Sequence, residues 1–216
     1  MIVAILLLSG FKANSQTSDV NLKNAELVRV PYQPTNCDRL RDYFRDTLSM
    51  YGKPGGIIMT NGACSRSKGS PEAEQGELYE RLNAVMQVES GFVWSEDSGV
   101  MNLLPAGTES SLVDTKLSEF KITVGDELSM VFQELRRRPE FLERMKELNL
   151  KEPSLEIGGG LQSPPSNRPK QEFTFIGKTI REILNEIVRK RGRGIWLYDE
   201  HNYNGNNTYR LVFLGP

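Results

Sequence analysis

The chain has one histidine, His201, set in DEHNYNGNN beside Asp199 and Glu200. An imidazole next to carboxylates is a residue set for general-base chemistry or for holding a metal. A Ser–His–Asp hydrolase could draw on no other histidine. A Cys–His pair would need Cys37 or Cys64 as its thiol. The plainer reading of His201 is a solvent-exposed hairpin residue. Two acidic pairs, Glu96–Asp97 and Asp199–Glu200, each lie just beyond a tryptophan strand. Paired carboxylates hydrolyse glycosides when both face one cleft about 5–9.5 Å apart. Neighbours on a strand point to opposite sides, so neither pair suits that task by itself. The glycines at 158–160 lack the lysine and helix of a phosphate loop, and neither G-x-S-x-G nor H-E-x-x-H occurs. The Asp/Asn-rich stretch 199–207 lacks calcium-loop spacing. No cofactor motif is present. This inventory favours a non-enzymatic protein, with a small secreted or periplasmic hydrolase using His201 as the alternative.

The run RKRGR places Arg189, Lys190, Arg191 and Arg193 together, and Lys178 and Arg181 lie upstream of it. These six cations form a candidate interaction patch for an acidic protein surface or an anionic envelope polymer. A helix C-terminus that favours cations accounts for the run more simply, and the same holds for Arg136–Arg138. Formal net charge is -1, which gives no electrostatic reason to expect nucleic acid as a partner.

Residues 2–8 form an apolar run too short to span a bilayer, followed by polar sequence. The pattern fits a secretory signal peptide over residues 1–16, with cleavage near Ala13 or Gln16, although no lysine or arginine precedes the run. A buried N-terminal strand is the other reading. Export sends the chain to the periplasm or the medium, where Cys37 and Cys64 can form one disulfide; the alternative is two unpaired cysteines.

The elements that must position these groups show a recurring order. In ELYERLNAVMQVESGFVWSED (77–97), Leu78, Leu82, Val85 and Met86 mark one helix face; Gly91 stops it, and Phe92–Trp94 read as strand. In TIREILNEIVRKRGRGIWLYDE (179–200), Ile180, Ile183, Leu184, Ile187 and Val188 mark another helix before Ile195–Tyr198. Leu82-Asn83 aligns without a gap on Leu184-Asn185, and Val93-Trp94 on Ile195-Trp196. Each tryptophan is expected to cover its own helix; a ligand-stacking platform is the sharper alternative. GGIIMT (55–60) and EFTFIG (172–177) precede the two helices as strands, with Gly55-Gly56 as a turn into the first. VMNLLP (100–105) and TYRLVFL (208–214) follow, the latter across an Asn-Gly hairpin signal. Between the units, 118–138 reads as a partial third copy, strand then helix, and Pro139 opens a second helix. NCDRLRDYFRDTLSMYG (36–52) adds a helix capped by Asn36 or Asp38. The expected fold is α+β, with duplicated small strand-helix-strand-strand units and an intervening helical pair. The expected divisions are a first domain over 17–155, a Gly/Pro-rich linker at 156–171, and a C-terminal domain over 172–216.

Phe173, Phe175, Thr179, Ile180, Leu184, Ile187, Gly192 and Ile195–Tyr198 follow a motif of alternating strand, helix-opening threonine, L-x-x-x-L-x-x-[IVL] helix, glycine and hydrophobic strand. In this the C-terminal segment resembles the short N-terminal module of bacterial secretins and TonB-dependent receptors. The motif is mostly hydrophobic spacing, and 77–104 follows it more loosely. The resemblance implies a periplasmic location and a protein partner in the cell envelope. No pore or barrel sequence follows the module within the chain, so the expectation is a free-standing interaction or scaffold protein.

Overall fold

The computed structural model describes residues 35–68, 76–107, 111–125, 128–151, 170–203 and 205–214. The expected leader at 1–16 and residues 156–169 of the Gly/Pro-rich stretch lie outside the described residues. The chain runs α1 (Asn36–Met50), β1 (Gly55–Met59), α2 (Asn61–Arg66), α3 (Leu78–Val88), β2 (Phe92–Asp97), β3 (Val100–Pro105), β4 (Lys116–Val124), α4 (Ser129–Arg136), α5 (Pro139–Glu147), β5 (Gln171–Thr179), α6 (Ile180–Arg191), β6 (Ile195–Tyr203) and β7 (Asn206–Leu214). The class is α+β. The order strand-helix-strand-strand holds for β5-α6-β6-β7, whereas in β1-α2-α3-β2-β3 two helices stand between the first strand and the hairpin; β4, α4 and α5 lie between.

Local chemistry explains most boundaries. Thr35 caps α1, accepting from the Asp38 backbone N–H while Asp38 accepts from that of Thr35. The cap is therefore Thr35, and Asp38 is its reciprocal partner. Thr179 and Glu182 close the same box on α6, which ends at Gly192 with φ 67°. Pro139 opens α5 at a position where its missing N–H costs nothing. Asn61–Arg66 forms α2, with the Thr60 side chain accepting from the Ala63 N–H at its start. The β2–β3 hairpin turns on Ser98 and Gly99, both with positive φ, the geometry that a two-residue hairpin requires.

The two units do not build two sheets. One five-stranded sheet runs β2-β3-β1-β6-β7, with β1 parallel to both β3 and β6. The hairpins β2–β3 and β6–β7 flank β1. β5 leaves its own hairpin and pairs antiparallel with β4, eight matched positions from Lys116↔Thr179 to Val124↔Gln171. Thus the expected boundary at 156–171 does not separate two domains: β6 hydrogen-bonds β1 directly, and the described residues belong to one compact unit, Pro34–Pro216. Residues 118–138, expected as a partial third copy, hold most of β4 and all of α4, and β4 lies beside β5.

Successive side chains of the central strands point to opposite faces, and both faces are covered. Ile57, Met59, Met101, Leu103, Ile195 and Leu197 pack on one side with Leu40, Phe44 and Leu48 of α1 and Leu82 of α3. Ile58, Val100, Trp196, Tyr198, Tyr209 and Leu211 pack on the other with α6, α4, α5 and the β4–β5 ribbon. Gly55 and Gly56 lie inside β1, not in a turn before it. A Cβ on Gly55 would come 2.3 Å from a Leu48 methyl, and one on Gly56 2.3 Å from the Trp196 ring. Their missing side chains let a helix approach one face and an indole the other.

Gly56→Ala is therefore expected to destabilise the protein by about 1–3 kcal/mol, the usual cost of overpacking a filled core. Gly125→Ala, where the nearest non-neighbouring atom would be 4.0 Å from the new methyl, is expected to change little. Urea unfolding of the two variants checks the contrast.

Candidate functional site

His201 and Asp199 point to the same side of β6, and Arg210 stands opposite Asp199 on β7. Asp199 is 2% exposed. Its carboxylate accepts from His201 Nε2 at 2.8 Å and from the Arg210 guanidinium through Nε at 3.1 Å and through Nη2. Burial pushes the Asp199 carboxyl up, but the bonds from His201 and Arg210 outweigh it and hold the group below the ordinary carboxylate range. The bond to Asp199 raises the His201 pKa against the opposing effect of its partial burial. Asp38 and Arg41 of α1 contribute to the same field. Cys37 and Cys64 are joined in a disulfide that ties α1 to α2, with Cα atoms 5.2 Å apart. Cys37 Sγ is also 3.6 Å from Met59 Sδ, and Met59 is the β1 partner of Asp199. Neither sulfur is thus free to act as a nucleophile with His201. Among the described residues, no three His, Cys, Asp or Glu side chains converge as metal ligands.

The acidic pairs divide as strand geometry requires. Asp199 meets His201 and Arg210, whereas Glu200 accepts from the Tyr198 hydroxyl at 2.7 Å on the opposite face. Glu96 accepts from Tyr79 at 2.7 Å and Asp97 from Ser98 at 3.0 Å. Neither pair faces one cleft.

The six-cation patch is largely partnered. Lys178 pairs with Glu182 at 3.1 Å, Arg181 with Asp114 at 3.4 Å, and Arg189 with Glu186 at 2.6 Å. Lys190 stands 4.9 Å from the Phe173 ring centre and 3.6 Å from Glu186. Arg191 donates to the Gly125 carbonyl at 2.6 Å, and Arg193 is exposed. Lys178, Arg189 and Lys190 border a cleft of about 420 Å³ between β5, α6 and the β2–β3 turn. In α4, Arg136 lies over Tyr209, and Arg138, just beyond the helix, lies over Phe120. These guanidinium–ring contacts have no signal in a charge run read as helix-end chemistry.

Both tryptophans are held by an asparagine of the preceding helix. Trp196 Nε1 donates to Asn185 Oδ1 at 2.8 Å, and Trp94 Nε1 to Asn83 Oδ1 at 3.1 Å. The first pair is buried, with Trp196 at 0% exposure. The second is at the surface, where Tyr79 sets its ring 5.7 Å from that of Trp94. Val93 beside it is 46% exposed. Beyond β2 no further strand is paired among the described residues.

Comparison with known protein families, with curated proteins and with solved structures returned no match. No helix among the described residues is long and apolar enough to cross a membrane.

Asn185→Ala strands a buried indole N–H and is expected to cost about 1–3 kcal/mol. Asn83→Ala leaves an N–H that water can reach and is expected to cost a few tenths; thermal or urea unfolding reads both. The Asp199 triple also has a defined pH window. A lowered Asp199 contributes stability above its unfolded value, lost as pH falls through its folded pKa; a raised His201 contributes below its unfolded value, lost as pH rises through its folded pKa. His201→Gln is therefore expected to cost more at pH 5.5 than at pH 8.5. Solvent screening of the half-exposed imidazole keeps the difference below about 1 kcal/mol, and denaturant titrations at the two pH values measure it.

Proposed function

We propose that this chain is an exported, non-enzymatic protein–protein interaction or scaffold module of the cell envelope. The observation that carries this reading is the outer edge of β2, which no strand among the described residues pairs and which carries exposed Val93 and the surface pair Tyr79–Trp94. A sheet edge offers backbone donors and acceptors to a partner strand, and side chains along it provide selectivity. The Cys37–Cys64 disulfide fits an oxidising compartment. The resemblance of residues 172–214 to the short module of secretins and TonB-dependent receptors points the same way, toward a periplasmic protein that contacts other envelope proteins.

A second reading, a small exported hydrolase acting through His201, draws on one observation: the buried Asp199 carboxylate orients a half-exposed imidazole. Arg210 shares that carboxylate and weakens the dyad as a proton relay, because it already neutralises the group that would stabilise an imidazolium.

Immobilised wild-type protein, Val93→Lys and His201→Ala, each offered the envelope fraction of the source cells, separate the two. Val93→Lys adds a charge that blocks edge pairing. A partner held by wild type and His201→Ala and lost with Val93→Lys is the expected result. Retention unaffected by Val93→Lys would overturn the edge reading, and ester or peptide hydrolysis abolished by His201→Ala would replace it with the enzyme.

A further inference from the structure

We infer that the β2 edge receives an extended segment with two adjacent apolar residues at one end and two adjacent lysines or arginines at the other. This inference rests on the edge-binding reading above and specifies the chemistry of the partner.

The two ends of the sheet differ. At the β7 end, the Lys151 N–H donates to the Asn207 carbonyl at 2.8 Å, making a parallel bridge, and the Phe132 ring of α4 stacks 4.5 Å from Phe213. Strand and helix residues thus occupy part of that margin. At the β2 end, six consecutive pairs from Phe92↔Pro105 to Asp97↔Val100 form without a bulge. Monomeric proteins blunt such edges with lysine, proline, bulges or a covering loop. FVWSED contains no lysine and no proline, and its register is continuous.

The edge also has a distinct side-chain pattern. Successive residues face opposite sides of the sheet, so Val93 offers an apolar contact on one face, and Trp94, braced by Tyr79, offers one on the other. A strand laid against β2 would find apolar surface on both faces. At the far end, Glu96 and Asp97 are exposed, accept only hydroxyl hydrogen bonds from Tyr79 and Ser98, and have no ion-pair partner among the described residues. The nearby cations Lys178 of β5 and Arg189 and Lys190 of α6 are engaged by Glu182 and Glu186. An incoming strand therefore meets two unneutralised carboxylates, one on each face. Opposite charges across a strand pair stabilise it and like charges destabilise it. A second copy of the chain meets this demand poorly. In the antiparallel register centred between Trp94 and Ser95, Glu96 stands opposite Val93 and Asp97 opposite Phe92, so the carboxylates of both copies stay unneutralised.

The test uses the oxidised full chain and two synthetic peptides blocked at both ends, TKKTVVT and TEETVVT, whose adjacent charges reach both faces of an antiparallel pairing with β2. Two readouts apply: hydrogen exchange of the β2 amides, and tryptophan emission, to which only Trp94 can respond because Trp196 is fully buried. The lysine peptide is expected to protect residues 92–97 and to bind about tenfold more tightly than the glutamate peptide, as for a few cross-strand ion pairs. The difference should shrink in high salt and reverse in the Glu96→Lys/Asp97→Lys double variant, a reversal that a misfolded variant could not produce. Equal binding of both peptides, with residues 92–97 protected, would overturn the charge assignment while the edge-binding reading stands. If neither peptide protects those residues, both fall. Concentration-dependent dimerisation that protects 92–97 without peptide would assign the edge to a second copy and overturn the inference.

Discussion

Gly56 leaves open the space that the Trp196 indole fills, and the rest of the molecule is organised around that contact. β1 is short, central and parallel to both neighbours. A strand with partners on both edges and helices on both faces can bury every residue, and β1 does. Parallel pairing supplies no tight turn to hold its register, so side-chain fit has to do so. Gly55 admits Leu48 of α1 on one face, and Gly56 admits Trp196 on the other. Asn185 then fixes the indole from α6. One pair of glycines thereby couples both helical layers to the sheet and joins the two halves of the chain.

The same tryptophan–asparagine contact recurs between α3 and β2, on the opposite face of the sheet. There it is not enclosed. Trp94 keeps its asparagine partner and gains Tyr79, yet the pair stays at the surface because β2 is the last strand paired on that side. One local arrangement serves two ends. In the centre it fills a core; at the margin it braces an apolar edge. The helix order is shared, but the surroundings differ because β5 pairs with β4 and not with the hairpin that follows it.

Charge follows a similar division. Most of the α6 cations are held by carboxylates of the same helix or by nearby backbone and ring groups, which reduces their reach toward an external anion. Asp199, by contrast, is buried and depends on two partly exposed cations for its charge state. The disulfide between α1 and α2 lies next to that cluster through Met59. This end of the sheet is thus secured by a covalent bond and an ion triple, and the β2 end by neither.

Much of the local structure could be read from sequence. The 3.6-residue spacing of Ile180, Ile183, Leu184 and Ile187 places α6, and Asn-Gly marks the β6–β7 turn. These signals lie within a few residues of what they specify, so hydrogen bonding and side-chain direction determine them directly. The opposite orientation of Asp199 and Glu200 follows from strand geometry alone. Other features depend on groups distant in the chain. GGIIM has no periodicity that distinguishes a central strand from a marginal one, and its glycines look like a turn until Leu48 and Trp196 are seen to need their space. The pairing of β5 with β4 and the single shared sheet arise from which apolar faces must be covered together. His201 and its carboxylates could be named from their types, but their partners could not. Sequence alone determined most of the elements and their inward faces, though not α2 or the start of β1; the tertiary structure decided which edge is closed, which tryptophan is buried and which charges remain unneutralised, because each is settled by packing between segments far apart in the chain.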